Sequence, residues 1–384
     1  MASTGVLRAV LLVALAVGLT GVAPTAVSAA PIPLPGTLVS ATVVPAGPLL
    51  GPDVVRYQIR YMTIDGTGDP VVATGVVLAP ATASQGGSRT VVAWGHGTSG
   101  IADRCAPSRS AALYPGENYD VYADEVRGFL DDGHIVVAPD YVGLGSPGQH
   151  EYLIGRSEGR STIDAVRAAR QLGIGAGRDW VSVGHSQGGQ GALFSGELAR
   201  SYAPELSLRG VVAIAPASNL DVIVPQIAGT EGQGYLAFAL KGLESVYPNL
   251  EAEDVLAAPG EALLPLTEIG CFGLVLTAYA GLSAEQMVEG GVVSEEVVAM
   301  FARSNPGQRA TAAPILLVQG TADLDIPAEL TYVLARQLCA QDDVVDIRVY
   351  PGEGHDSTVV ASSVEVRTWV NERFSGLAPR DICP

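Results

Sequence analysis

A chain of 384 residues, 48% hydrophobic and 16% charged, is long and apolar enough to bury a substantial core, which excludes a disordered polymer. Acidic residues outnumber basic ones 40 to 22, and the net charge of -18 repels nucleic acid and anionic lipid headgroups. That balance excludes a polyanion partner and fits a neutral substrate.

The first thirty residues carry one cation at Arg8, an apolar run from Ala9 to Leu19, and small residues ending Ser28, Ala29, Ala30. This is the layout of a secretory signal peptide over 1–30, its apolar run being shorter than the roughly 20 residues of a spanning helix. The best later candidate, Cys271 to Leu282, is about half the required length. The expectation is a secreted protein with no stable membrane anchor, touching lipid interfaces only transiently.

A Pro-rich leader over 31–52 precedes Val55 to Thr63, where Tyr57, Ile59 and Tyr61 recur at period two, as in a half-buried strand. The turn signal Asp65-Gly66-Thr67-Gly68-Asp69 leads to a second strand, Val71 to Leu78, and the pair reads as an antiparallel hairpin at a sheet edge. From Thr90 onward short apolar runs alternate with amphipathic stretches. The runs are Val91 to Trp94, Ile135 to Pro139, Trp180 to Val183, Val211 to Ala215, Ile315 to Val318 and Val344 to Val349. Being apolar on both faces, they predict a mostly parallel central sheet flanked by helices. The helices are expected over Asp124 to Leu130, Thr162 to Leu172, Gly188 to Ser201, Ala328 to Leu338 and Val359 to Phe374.

One interval breaks the rhythm: about a hundred residues separate the strands ending at Ala215 and starting at Ile315, and a loop of that length needs structure of its own. It is read as a mostly helical cap over 217–313, with apolar pieces at Tyr235 to Leu240 and Phe272 to Leu282; the core is then 53–216 and 314–384. Four cysteines, Cys105, Cys271, Cys339 and Cys383, read as two disulfides in an exported chain, with three pairings open. None has the spacing of a zinc site.

The strand Trp180 to Val183 runs into Gly184-His185-Ser186-Gln187-Gly188-Gly189 and then a helix, the layout of an α/β-hydrolase nucleophile elbow. Side chains at Gly184 or Gly188 would collide with the neighbouring strand and helix. A serine needs a base, and five histidines are available. His185 is adjacent but points away on the elbow, His134 opens a buried strand, and His96 and His150 precede the serine. His355 follows the last predicted strand, where this fold carries its base. Asp323, after the strand Ile315 to Val318, is the candidate acid; Asp325 is the runner-up, with helix capping ahead of Pro327 as its ordinary role. Oxyanion donors are expected from the backbone of Gln187 and from the loop Trp94 to Gly100, with Thr98 favoured over Ser99.

Together these residues resemble the secretory lipase family, which includes fungal lipase A-type enzymes and many actinobacterial exported lipases. The resemblance covers most of the mature chain. It rests on the elbow, Cys105-Ala106-Pro107-Ser108, the distinctive Asp140-Tyr141-Val142-Gly143-Leu144-Gly145, the Gly320-to-Pro327 segment and Gly354-His355. It implies an α/β-hydrolase fold with a helical cap between core strands 6 and 7, pairings Cys105 to Cys271 and Cys339 to Cys383, and hydrolysis of acylglycerol-type esters. The fungal members carry an acidic residue in the oxyanion loop, where this chain reads His96-Gly97-Thr98-Ser99. The expected chemistry is double displacement through an acyl-enzyme on Ser186, with no cofactor or metal. The alternative is an acyltransferase or peptidase of the same fold, because the three residues do not name the leaving group; a triad-bearing surface protein that binds lipid without turning it over is the non-enzymatic rival.

Overall fold

The computed structural model describes residues 1–2, 33–82, 87–110 and 120–384, so the signal peptide read over 1–30 falls almost wholly outside the described residues. From Pro33 onward the chain is built around one nine-stranded sheet. Its strands are β1 (Leu38–Val44), β2 (Val54–Ile64), β3 (Pro70–Pro80), β4 (Arg89–Gly95), β5 (Ile135–Tyr141), β6 (Ala176–His185), β7 (Ser207–Ile214), β8 (Ile315–Gly320) and β9 (Val345–Tyr350). They lie in the order β1-β2-β3-β5-β4-β6-β7-β8-β9. The pairs β1/β2, β2/β3 and β3/β5 are antiparallel, and every pair from β5 across to β9 is parallel.

Every residue of β5 and β8 is buried, as parallel strands covered on both faces must be. The pleat sorts alternate side chains: Val92 and Trp94 of β4 face one cluster, Val91 and Ala93 the other. The first cluster is closed by α1 (Asp120–Asp131) and α12 (Ser357–Phe374), the second by α2 (Gly155–Ala169) and α3 (Gln187–Tyr202). Toward β8, α11 (Ala328–Cys339) continues the second face through Leu334 and Leu338.

Two elements depart from the expected pattern. The β2/β3 hairpin is not the sheet edge; β1, inside the Pro-rich leader, pairs with β2 and leaves its five central residues partly or fully exposed. A strand with so little buried surface shows no hydrophobic alternation. Helix α2 begins at Gly155 rather than Thr162, because Gly155 and Gly159 are contact glycines and not breakers. A Cβ on Gly155 would stand 2.0 Å from the Phe194 ring, and one on Gly159 2.9 Å from the Phe194 backbone.

Between β7 and β8 lie α4 (Leu220–Ile227), α5 (Gly234–Glu244), α6 (Ala258–Glu261), α7 (Pro265–Ile269), α8 (Phe272–Tyr279), α9 (Ala284–Met287) and α10 (Glu295–Ala302). They bury a core of their own, including Phe238, Leu240, Val275, Tyr279 and Phe301, which continues onto Tyr152 and Ile326 of the sheet-bearing part. Cys105 is bonded to Cys271 and Cys339 to Cys383. No helix among the described residues is long and apolar enough to cross a membrane.

Candidate active site

Strand β6 ends at His185, α3 begins at Gln187, and Ser186 makes the turn between them with φ 56° and ψ −119°. A non-glycine residue at positive φ costs about 1–3 kcal/mol and persists only where its surroundings hold it. Here the Ser186 N–H donates to the Ile214 carbonyl at 2.9 Å, and the Ser186 carbonyl accepts from Gln190 and Ala217, both at 3.1 Å. The flanking glycines make room for the turn. A Cβ on Gly184 would lie 2.1 Å from the Gly188 carbonyl oxygen, and one on Gly188 2.1 Å from the Gly95 carbonyl oxygen at the end of β4.

His355 lies on the loop between β9 and α12, and its Nδ1 donates to Asp323 Oδ2 at 2.8 Å. Asp323 is itself fixed: Oδ1 accepts the backbone N–H of Asp325 at 3.0 Å and of Ile326 at 2.8 Å, and Oδ2 accepts from Gln319 Nε2 at 3.0 Å. Thr331 of α11 donates in turn to Gln319 Oε1 at 2.6 Å. Burial pulls the His355 imidazole down, but the hydrogen bond and charge of Asp323, with the charges of Asp325 and Asp356, outweigh it and leave His355 above its ordinary value. With Nδ1 committed to Asp323, Nε2 is the free nitrogen.

Ser186 and His355 line one small cavity together with Thr98, Tyr122, Tyr235 and Phe272. No direct hydrogen bond joins Ser186 to His355 among the described residues; such contacts tighten when substrate is bound. Gly97 brings the β4 loop against the serine, since a Cβ there would lie 3.4 Å from Ser186 Cβ and 2.5 Å from the Tyr122 hydroxyl. Thr98 is buried in that loop with its hydroxyl 2.7 Å from Tyr152 OH, whereas the Ser99 carbonyl accepts the Phe272 N–H at the base of α8. A second, apolar cavity lined by Leu220, Ile223, Val224, Leu236 and Ile326 opens onto the same Ser186.

Two residues have roles other than those expected. Asp325 does not cap α11, whose N-cap is Pro327 without any side-chain hydrogen bond; it faces both cavities. Asp323, Asp325 and His355 have potential ligand atoms within 4.8 Å of one another, but Asp323 and His355 are already joined by the carboxylate–imidazole hydrogen bond. His185 is not idle. Its Nε2 donates to the His355 carbonyl at 3.1 Å and its Nδ1 accepts from Tyr122 OH at 2.5 Å, the His185 and His355 rings lying 4.5 Å apart. Burial, then the charge of His355, hold His185 well below its ordinary value, so it is a neutral strut beneath the His355 loop. Its sequence signal is its place directly before the serine, and that of Gln319 its place at the end of β8.

His134 and His96 hold packing positions. His134 lies between Thr90 and Asn371, and His96 packs on the Tyr141 ring at 4.8 Å. Asp140 is a brace: Oδ1 accepts the Ser108 N–H at 2.8 Å and Oδ2 the Thr74 hydroxyl at 2.7 Å, tying the Cys105–Ser108 segment to β3.

A family model of secretory lipases matches residues 119–381, more than half of the chain. The chain is 26% identical over 346 residues to secreted triacylglycerol lipase LIP7 of Malassezia globosa, covering 85% of this chain and 72% of that one. It is 28% identical over 347 residues to LIP4 of the same fungus, covering 85% and 74%. Among solved structures, lipase A of Candida antarctica in its closed state superposes with a TM-score of 0.79 at 19% identity, over 91% of this chain and 84% of that one. The rice cell wall degrading esterase LipA of Xanthomonas oryzae gives 0.70 at 21% identity, over 89% and 98%. The fold is thus that of the α/β-hydrolases, and the chain belongs to the secretory lipase family of carboxylic ester hydrolases.

Proposed function

We propose that the chain, exported and freed of residues 1–30, hydrolyses fatty-acyl esters of the acylglycerol type through Ser186, His355 and Asp323. His355 Nε2 takes the hydroxyl proton as Ser186 Oγ attacks the ester carbonyl, while Asp323 holds the imidazole through Nδ1 and stabilises its charged form. The oxyanion faces the backbone N–H groups of Gln187, at the start of α3, and Thr98. His355 then protonates the departing alcohol. The acyl-enzyme is hydrolysed by water activated at the same nitrogen, which returns the proton to Ser186 and releases the acid. No step calls for a cofactor or a metal.

The observation that carries this reading is the 2.8 Å contact between His355 Nδ1 and Asp323 Oδ2 in a cavity shared with Ser186. The substrate class is supported by the apolar cavity beside the serine, since each buried methylene of an acyl chain contributes about 0.8 kcal/mol. Residues 217–313 act as a cap over the core of 53–216 and 314–384. The likeness to secreted triacylglycerol lipases of Malassezia supports action outside the cell on lipid esters. Replacing Ser186 with Ala tests the reading: release of p-nitrophenol from acyl esters should fall to the uncatalysed level, and retained turnover by the folded variant overturns it.

A further inference from the structure

Behind the serine lies a buried polar network that the mechanism above does not use. Glu158, in the first turn of α2, is 0% exposed. Its Oε1 accepts from the Gln187 side-chain amide at 2.9 Å and from the Leu153 N–H at 3.1 Å. The same amide nitrogen stands 3.2 Å from His150 Nε2. His150 Nδ1 donates to the Val142 carbonyl at 2.8 Å, and burial holds the ring down to about 4, so it is neutral with Nε2 bare. The Gln187 amide therefore gives both its hydrogens to acceptors, and its orientation is determined.

The second contact of Glu158 leads to the other side of the cavity. Leu153 has φ 58°, a strained conformation for leucine, and its N–H is held by the carboxyl. The preceding residue, Tyr152, places its hydroxyl 2.7 Å from Thr98 Oγ1. One buried side chain thus reaches both candidate oxyanion donors, Gln187 directly and Thr98 through the Tyr152–Leu153 turn.

A leucine would fill the same space without the cost of burying an acid. Burial pushes Glu158 up to about 8, against the pull of Gln187 and Leu153, with the charge of Glu151 adding to the rise. The group is therefore mostly uncharged at neutral pH. Its Oε2 has no hydrogen-bond partner among the described residues, which a neutral acid tolerates far better than a carboxylate. The site is also rigid: α3 passes so close that a Cβ on Gly191 would meet the Glu158 Cβ at 3.3 Å.

We propose that Glu158 is a positioning residue for ester hydrolysis, setting the spacing of the Gln187 and Thr98 backbone donors. The inference rests on the Ser186 reading above. It predicts damage to kcat rather than KM, because oxyanion contacts strengthen only in the transition state.

The test is to measure kcat and KM on p-nitrophenyl butyrate at pH 7 for Gln187→Ala, Glu158→Leu and Glu158→Gln, with Ser186→Ala alongside. Gln187→Ala keeps the backbone N–H and a good helix former but cuts the tie. It should lower kcat about tenfold or more with KM within about threefold. Glu158→Leu should do the same. Glu158→Gln, uncharged and still an acceptor, should restore kcat to within about threefold of the parent. The proposal is overturned if Gln187→Ala and Glu158→Leu keep parental kcat, if KM rises instead, or if Glu158→Gln is as damaged as Glu158→Leu. Should Glu158→Leu not fold, Gln187→Ala decides alone, a fall in kcat at constant KM supporting the proposal and an unchanged kcat overturning it. Turnover by Ser186→Ala would defeat the reading beneath; a dead Ser186→Ala with an intact Gln187→Ala defeats only this inference.

Discussion

At the scale of single residues, the site is a division of labour among carboxylates with similar intrinsic chemistry. Asp323 receives four hydrogen bonds, one of them from His355, and is 5% exposed; the Asp325 carboxylate faces the cavity and accepts none of them. Asp323→Asn should therefore lower kcat by about 10³–10⁴-fold, since an amide can present the wrong group to the imidazole, while Asp325→Asn should leave the plateau within about threefold. Asp325 is expected to appear in the pH profile. Activity needs uncharged His355 and rises as pH climbs through its pKa, which lies above the ordinary value of about 6.5. Asp325 is one of the charges that raise it, so Asp325→Asn should move the acid limb of kcat/KM to lower pH. A limb that stays in place or moves up contradicts the assignment. The candidates for serine, acid and histidine could be picked from the sequence because each follows a strand in a fixed order. The contacts of His185, Gln319 and Glu158 could not, since each depends on a partner that only the folded chain brings near.

At the scale of elements, the elbow shows how backbone packing restricts side chains. Gly188 touches the Gly95 carbonyl of the neighbouring strand so closely that even a methyl group must displace main chain. Gly188→Ala is accordingly expected to lose ester hydrolysis altogether, either with the protein folded or through failure to accumulate soluble chain; full activity in a folded Gly188→Ala would refute the packing argument. The same physics hides the start of α2. Gly155 and Gly159 lower intrinsic helix propensity by about 1 kcal/mol each relative to alanine and hide the first turns of α2 from a periodicity reading. They are needed there because Phe194 and Ser195 of α3 occupy the space a side chain would take. Strand β1 escaped for the opposite reason, having little apolar surface to bury. The central strands, apolar on both faces, were plain in the sequence, as were α3, α11 and α12 to within a turn.

At the scale of the whole molecule, the sheet carries the candidate triad and the helices between β7 and β8 supply the apolar wall beside it. The bond from Cys105 to Cys271 ties that helical segment to the loop following β4, and it closes 166 residues against 44 for Cys339 to Cys383. A longer closed loop restricts the unfolded chain more, so replacing both Cys105 and Cys271 with serine should destabilise by about 5 kcal/mol in the chain-entropy picture, against about 4 kcal/mol for replacing Cys339 and Cys383. Comparing the midpoints of thermal unfolding of the two double variants checks the order. The long interval between strands announced structure of its own by its length and composition; its division into seven α-helices did not show, because short helices in a Leu- and Ala-rich stretch lack distinct stops. The central claim is that Ser186 is the activated nucleophile. The most direct measurement is to treat the purified protein with a fluorophosphonate and locate the adduct by peptide mass spectrometry. One equivalent is expected on Ser186, lost in His355→Ala; an adduct on another residue, or none on a protein that hydrolyses esters, would refute Ser186 as the nucleophile.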